Sequence, residues 1–334
     1  MNEKYDLNII CFFYIFYFCL QNQYVGPDSA PLVFGNLAFS ETMMYNQPEV
    51  TGMIQYIENE VLRVGVKELG AELTSVFDKE RPYEYLWQGD PAVWAGQSYI
   101  LFPAIGRLRG DRYTLGGKTY DMPKHGVARK RPFEMVENTG DSMTFLQTED
   151  DDTLKLFPYR YKLYETLRLD GRSLTVDLTV ENNNDRPMYF ALGGHPGFNC
   201  RIGDVIEFES PETLDTAVID MAEGLRSGET LPVLRNEDRL TITAHSFDND
   251  ALILENIKSA FVTVQSFGGK RPIRFFSNAR WLGVWAKPGA PYVCLEPWCG
   301  IDDSVTSDGV FETKEGNNRL APGETFTLRW RVEL

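Results

Sequence analysis

The chain has 334 residues, with 48 acidic against 33 basic side chains for a net charge of −15, and it is 43% apolar and 13% aromatic. That length holds one large all-β or α/β domain or two smaller ones, and the apolar fraction excludes a disordered chain. The acidic balance, with no Lys/Arg-rich block, excludes a nucleic-acid binder, whereas a neutral small molecule is a compatible partner and the aromatic surplus suits β structure and sugar clefts.

Near the N-terminus, Ile9 to Leu20 form an apolar run that is short for a membrane span and is preceded by Glu3 and Asp6 rather than by basic residues. Gln21-Asn22-Gln23 follows where a small-residue cleavage site would stand. A degenerate signal, an anchor and a non-native extension from an upstream start codon are the competing readings. We favour the last, with Met43, Met44 or Met53 as the natural start. The expected organisation is therefore an extension over 1–52 and one domain over 53–334. No membrane partner is expected; the expected location is the cytoplasm, although the Ile9 to Leu20 run leaves export or anchoring open, and the oligomeric state is open. Five cysteines, Cys11, Cys19, Cys200, Cys294 and Cys299, are too few and too odd in number for a disulfide framework. Without a second cysteine pair or a His-x-x-x-His to support zinc, no metal is expected.

From Val61 to Phe77 the pattern predicts two short strands around Leu69-Gly70-Ala71. Pro82 to Trp94 reads as an aromatic loop. Leu101 to Phe133 is loop-rich and carries Arg107, His125 and Arg129, with Gly116-Gly117 predicting a tight hairpin between Tyr113-Thr114-Leu115 and Lys118-Thr119-Tyr120. The clearest element lies between Tyr161 and Asn182. There Leu163, Leu167 and Leu169 lead into Asp170-Gly171, and Leu174, Val176, Leu178 and Val180 then alternate with polar residues, which predicts a hairpin turning at Asp-Gly. The same alternation closes the chain, with Phe326, Leu328, Trp330, Val332 and Leu334 inward. With no sustained 3.6-residue period, no repeat and no linker, the expected fold is all-β: a large antiparallel β-sandwich with little helix.

Three histidines occur. His125, in Met122-Pro123-Lys124-His125-Gly126, and His195, in Gly193-Gly194-His195-Pro196-Gly197-Phe198, are framed by Gly and Pro, while His245 lies in a polar, strand-like run and is read as structural. The proline after His195 restricts it to extended geometry, and the glycines permit unusual backbone, so the ring is aimed by its own chain. The alternative is a strand-ending turn with a buried histidine. Glu296, in Cys294-Leu295-Glu296-Pro297-Trp298-Cys299-Gly300, stands between an apolar strand and a proline-aromatic turn where burial would raise its pKa and make it a better base. A histidine that titrates near neutrality would complete an acid–base set, or Glu296 is simply the partner of an arginine. Spacing alone does not say whether positions 125, 195 and 296 converge.

Four motifs now stand in order: Leu101-Phe102-Pro103-Ala104-Ile105-Gly106-Arg107-Leu108, then Tyr120 to Arg129 around His125, then Gly193 to Phe198, then Leu295 to Gly300. Together they resemble the aldose 1-epimerase (galactose mutarotase) family, in its bacterial LacX-like subgroup, over residues 53 to 334. The resemblance implies a galactose mutarotase-type sandwich that interconverts the anomers of a free aldohexose through the open aldehyde, with no cofactor and no metal. It implies Glu296 as the base on the anomeric hydroxyl, His195 as the acid on the ring oxygen, and His125 and Arg107 as hydrogen-bond donors to the sugar. The family's Phe-Asp-His-Asn motif has its nearest match here in Phe247-Asp248-Asn249-Asp250, which lacks the histidine, so either Asp248 or Asp250 is the candidate sugar-binding aspartate. Of Trp281, Trp285 and Trp298, we take Trp298 as the stacking face for a sugar.

Three alternatives stay open. A hexose 6-phosphate substrate would use Arg129, Lys130 and Arg131. A sugar-binding module on the same sandwich would need no catalysis. A hydrolase or lyase would pair a second acid with Glu296, for which Asp302-Asp303 is the nearest source.

Overall fold

The computed structural model describes residues 52–334. The apolar run Ile9 to Leu20, Met43, Met44 and all but the last residue of the expected extension lie outside the described residues.

Among the described residues every strand ladder is antiparallel, both where one face is buried, as in the Tyr161–Asp170 and Ser173–Asn182 pair, and where both are, as in Leu192–Asn199 beside Tyr292–Cys299. The largest sheet has fourteen strands. From one edge it runs Ser98–Leu101, Leu192–Asn199, Tyr292–Cys299, Trp281–Trp285, Leu252–Glu255, Val205–Asp220, Phe261–Gln265, Arg271–Ser277 and Thr325–Glu333, and it continues through Ser173–Asn182 and Tyr161–Asp170 to Ser142–Thr148 and Glu134–Asn138. Leu225–Thr241 joins this sheet through Val205–Asp220. A separate four-stranded sheet holds Ile54–Glu58, Leu62–Lys67, Glu72–Asp78 and Tyr83–Glu84.

Folded flat, the large sheet would hold strands six places apart about 29 Å from each other. Yet the Phe198 ring on the second strand lies 6.4 Å from that of Phe275 on the eighth. A Cβ at Gly194 would stand 3.3 Å from Trp330 Nε1 on the ninth. The sheet therefore doubles over as a sandwich, and these rings are part of its core. The inward residues Leu174, Val176, Leu178, Val180, Leu328, Trp330 and Val332 are buried, as their alternation predicts. Helix among the described residues is confined to single turns, the longest being Thr153–Leu156 and Ser266–Gly269.

The two strands expected between Val61 and Phe77 form as Leu62–Lys67 and Glu72–Asp78, with Gly70 and Ala71 at positive φ between them. The Gly116-Gly117 hairpin joins Arg112–Leu115 to Lys118–Asp121. In the long hairpin Asp170 already pairs with Ser173, so the turn residues are Gly171 and Arg172, one place later than the Asp-Gly pair suggests, and Gly171 takes the positive φ. His245 is also corrected: it sits in an exposed turn after the Leu225–Thr241 strand, not in a strand.

Candidate active site

The Gly193 to Phe198 stretch is no turn. It lies within the strand Leu192–Asn199, between Ser98–Leu101 on one side and Tyr292–Cys299 on the other, and its ladder to Tyr292–Cys299 is interrupted from Gly194 to Pro196. Its glycines have no positive φ; they make room instead. A Cβ at Gly197 would come within 2.9 Å of the Trp94 ring, and one at Gly193 within 3.0 Å of the Trp298 ring. What reads as turn punctuation is space for neighbouring indoles.

Register brings the acid–base pair together. Gly193 lies opposite Trp298 and Gly197 opposite Cys294, so His195 falls opposite Glu296. Side chains alternate faces along a strand, and directly opposed residues share a face about 5 Å apart. His195 Nε2 accordingly stands 3.3 Å from Glu296 Oε2. Both residues are buried. The same Oε2 accepts a 3.3 Å hydrogen bond from Trp298 Nε1, the next residue on that face. His195 stacks on Trp94 with ring centroids 5.0 Å apart, and Trp285, Tyr99 and His125 meet it edge-on. Its Nδ1 finds no hydrogen-bond partner among the described residues.

The environment decides the protonation states. Burial pushes the Glu296 carboxyl well above the usual carboxylate range, outweighing the bond from Trp298. Burial also pulls His195 down to about 3. The pair therefore holds one proton between its two groups and no net charge.

The pair lines a cavity of about 460 Å³ whose wall also includes the residues expected to bind the sugar, His125, Arg107, Asp248, Asp250 and Trp298. His125 is held in the left-handed region, φ 67°, where its N–H donates to Gly106 O at 2.8 Å and its Nδ1 accepts from Gly106 N–H at 3.2 Å. That second bond leaves the ring proton on Nε2 as a donor. Burial, with the adjacent His195, keeps the imidazole neutral. Arg107 Nε lies 3.1 Å from Asp111 Oδ1 at the cavity rim. Asp248 is exposed and holds His245 Nδ1 at 2.8 Å, so the surface histidine steadies one of the two aspartates. Asp250 sits at φ 71° and lies near enough to Glu296 to contribute to the rise in its pKa.

Trp298 has a second task beyond the wall, through its bond to Glu296. Trp281 is buried outside the cavity lining, whereas Trp285 and Trp94 line it. Trp94 ends the stretch read as an aromatic loop, and only its composition pointed to it. Of the three basic residues considered for a phosphate, Arg129 alone lines the cavity, its guanidinium 5.0 Å above the Tyr99 ring; Arg131 instead pairs with Asp150 and Asp152. Lys124, beside His125 in sequence, lines it too and escaped the sequence reading. So did the separation of the Asp302-Asp303 pair, of which only Asp302 faces the cavity.

His195, Cys294 and Glu296 each bring one potential ligand atom within 4.8 Å of the others. Such a set can hold a soft divalent cation. Burial, however, raises the Cys294 thiol as it raises Glu296, so a cation would have to displace protons from both. Among the described residues no helix is long and apolar enough to cross a membrane.

The family profile for aldose 1-epimerase matches residues 53–333. The chain is 30% identical over 302 residues to the chromosomal LacX protein of Lactococcus lactis subsp. lactis, covering 83% of this chain and 98% of that one. Among solved structures it is similar to a galactose mutarotase-related enzyme from Lactobacillus acidophilus, with TM-score 0.80, 30% identity, and coverage of 84% of this chain and 97% of that one. It is likewise similar to a galactose mutarotase-like protein from Lactobacillus casei, with TM-score 0.80, 33% identity, and coverage of 84% and 99%.

Proposed function

The chain belongs to the aldose 1-epimerase family and is an isomerase, and we propose that it interconverts the α and β anomers of a free aldohexose by acid–base ring opening. The observation that carries this is the opposed His195–Glu296 pair, 3.3 Å apart on the cavity wall. Glu296 takes the proton of the anomeric hydroxyl as C1=O1 forms. His195 gives a proton to O5 as the C1–O5 bond breaks. The open aldehyde turns about C1–C2 and closes on its other face, with His195 now taking the O5 proton and Glu296 returning one to O1.

Ring opening leaves the pair as carboxylic acid and neutral imidazole, the form that burial favours; starting from a closed sugar, the shared proton first passes from Glu296 to His195. His125, through Nε2–H, and Arg107 are the donors that steady the sugar oxygens. Asp248 and Asp250 are the acceptors for its hydroxyls. The Trp94, Tyr99 and Trp285 rings exclude water around His195.

Polarimetry on α-glucose and α-galactose tests this. Glu296→Gln and His195→Asn should each lower kcat/KM by about 10²–10⁴-fold, the share typical of a positioned acid or base. Retained acceleration in both variants would sink the mechanism. A wild-type protein that binds these sugars without speeding mutarotation would instead be a carbohydrate-binding sandwich. A second reading, a hexose 6-phosphate substrate, is favoured by Lys124 and Arg129 on the cavity wall. The same assay separates it, because a 6-phosphate would then show the higher kcat/KM.

A further inference from the structure

Asp302 enters the cavity from the segment that follows the Glu296 strand, and it is buried with one oxygen unanswered. Its residue is only 5% exposed, and Oδ1 has no hydrogen-bond donor among the described residues. The nearest cation is Arg226, whose Nε lies 3.6 Å from that oxygen but donates to the Asp302 backbone carbonyl at 3.1 Å, while its NH2 group bonds Glu315 at 2.6 Å. Lys314, behind it, donates to Ile301 O and lies 3.5 Å from Asp303. Asp303 is a contrasting neighbour: its Oδ2 accepts from Arg109 N–H at 2.9 Å and it does not face the cavity.

Asp302 also packs against the loop that sets His125. A Cβ at Gly106 would lie 2.3 Å from Asp302 Cβ, and the Gly106 N–H is the donor to His125 Nδ1. The carboxylate is thus held beside one of the groups that face the sugar. A buried acceptor with no donor is a strained arrangement unless a ligand completes it. Desolvation pushes its pKa up to about 7, in keeping with an oxygen that lacks a partner.

We propose that Asp302 is a specificity-determining residue that accepts a hydrogen bond from a ring hydroxyl of the bound aldose. A neutral O–H fits better than a cationic ligand group, because Arg226 and Lys314 already supply positive charge behind the carboxylate. Binding then satisfies Oδ1 without adding charge to a buried site. A sugar that lacks the matching hydroxyl leaves the oxygen unpaired and is rejected, the strong form of discrimination.

The inference rests on the mutarotase reading. Its test is kcat/KM by polarimetry for a parent hexose and its 2-, 3-, 4- and 6-deoxy analogues, with wild type, Asp302→Asn, Asp302→Ala and Asp303→Asn. In wild type one deoxy analogue should fall at least 100-fold below the others. Both Asp302 variants should lower kcat/KM on the parent, chiefly through KM, and shrink that gap to less than 10-fold. Asp303→Asn should depress all sugars alike and keep their ranking. An unchanged gap in Asp302→Asn, which is isosteric, would overturn the proposal, as would the absence of any disfavoured deoxy analogue in wild type. If wild type accelerates none of the sugars, the mutarotase reading fails instead, and calorimetric binding of the same panel decides the role of Asp302 by the same gap.

Discussion

A carboxyl and an imidazole 3.3 Å apart, both buried, are each easier to hold neutral than charged, and this shapes what the pair can do with pH. A free imidazole would gain its proton near pH 6.5. Desolvation moves that event for His195 to about 3, so the pair keeps its single shared proton through the weakly acidic range. Glu296 is shifted the opposite way, since burial pushes its carboxyl well above the usual carboxylate range. The expected kcat profile is therefore level from about pH 5 to neutrality, with the acid limb below pH 5, where the pair takes up a second proton. A limb at pH 6 to 6.5 in kcat would mean that His195 titrates as if solvated. The identities of His195 and Glu296 were legible in the chain, because Gly and Pro framed one and an apolar strand with a Pro-Trp turn framed the other. Their protonation was only half legible: the rise at Glu296 follows from burial, but the depression of His195 depends on Trp94, Tyr99 and Trp285, which arrive from distant segments.

At the scale of the element, alternation made the Tyr161–Asn182 hairpin and the closing strand readable, because one face of each is core. The strand that carries His195 was not readable that way. Both of its faces are buried and three of its eight residues are glycine, so it has neither a polar side nor the usual β-branched content. The same residue type does a different job at Gly106, which has φ 63°, touches Asp302 and donates to His125. Gly106→Ala meets both the left-handed penalty and a contact that backbone must relieve. It should destabilise the protein by about 2–4 kcal/mol and lower kcat/KM at least 10-fold as the displaced N–H of residue 106 moves away from His125 Nδ1. Gly116→Ala is the matched comparison, since φ there is 56° but nothing lies within 4 Å of the added carbon. It should cost about 1–2 kcal/mol with activity intact. Thermal melts and polarimetry on the two variants check this; equal effects at both positions would show that contact with Asp302 carries no weight.

Over the whole molecule, period-2 patterning was enough for an antiparallel sandwich but not for its strand order, in which Leu192–Asn199 and Tyr292–Cys299 lie side by side although about a hundred residues separate them. The acidic composition was plain from the start, but which acids are buried is a property of the fold. Glu165, on Tyr161–Asp170, is buried with Oε2 unpartnered, and burial followed by repulsion from Glu72 raises it well above the carboxylate range; Glu296 and Asp302 are raised as well. For such groups the folded state keeps a proton that the unfolded chain has lost, so stability falls as pH rises, by about 1.4 kcal/mol per unit for each group within its window. Asp177 works the other way. Burial alone would raise it, but bonds from Arg329 at 2.6 and 2.9 Å and from Arg168 at 2.7 Å outweigh that and lower its pKa, so its contribution is present above its unfolded pKa and disappears in acid. Tm should accordingly peak near pH 5 and decline towards pH 8. Surface repulsion at a net charge of −15 adds to that decline but is screened by salt, whereas the buried part is not. Melts from pH 4 to 9 in about 0.05 and 0.5 M NaCl separate the two. Glu165→Gln should raise Tm at pH 8, leave it near the wild-type value at pH 5, and flatten the decline that survives high salt. A Tm that climbs steadily to pH 8 in both salts would mean that these interior carboxyls ionise as readily in the fold as in water.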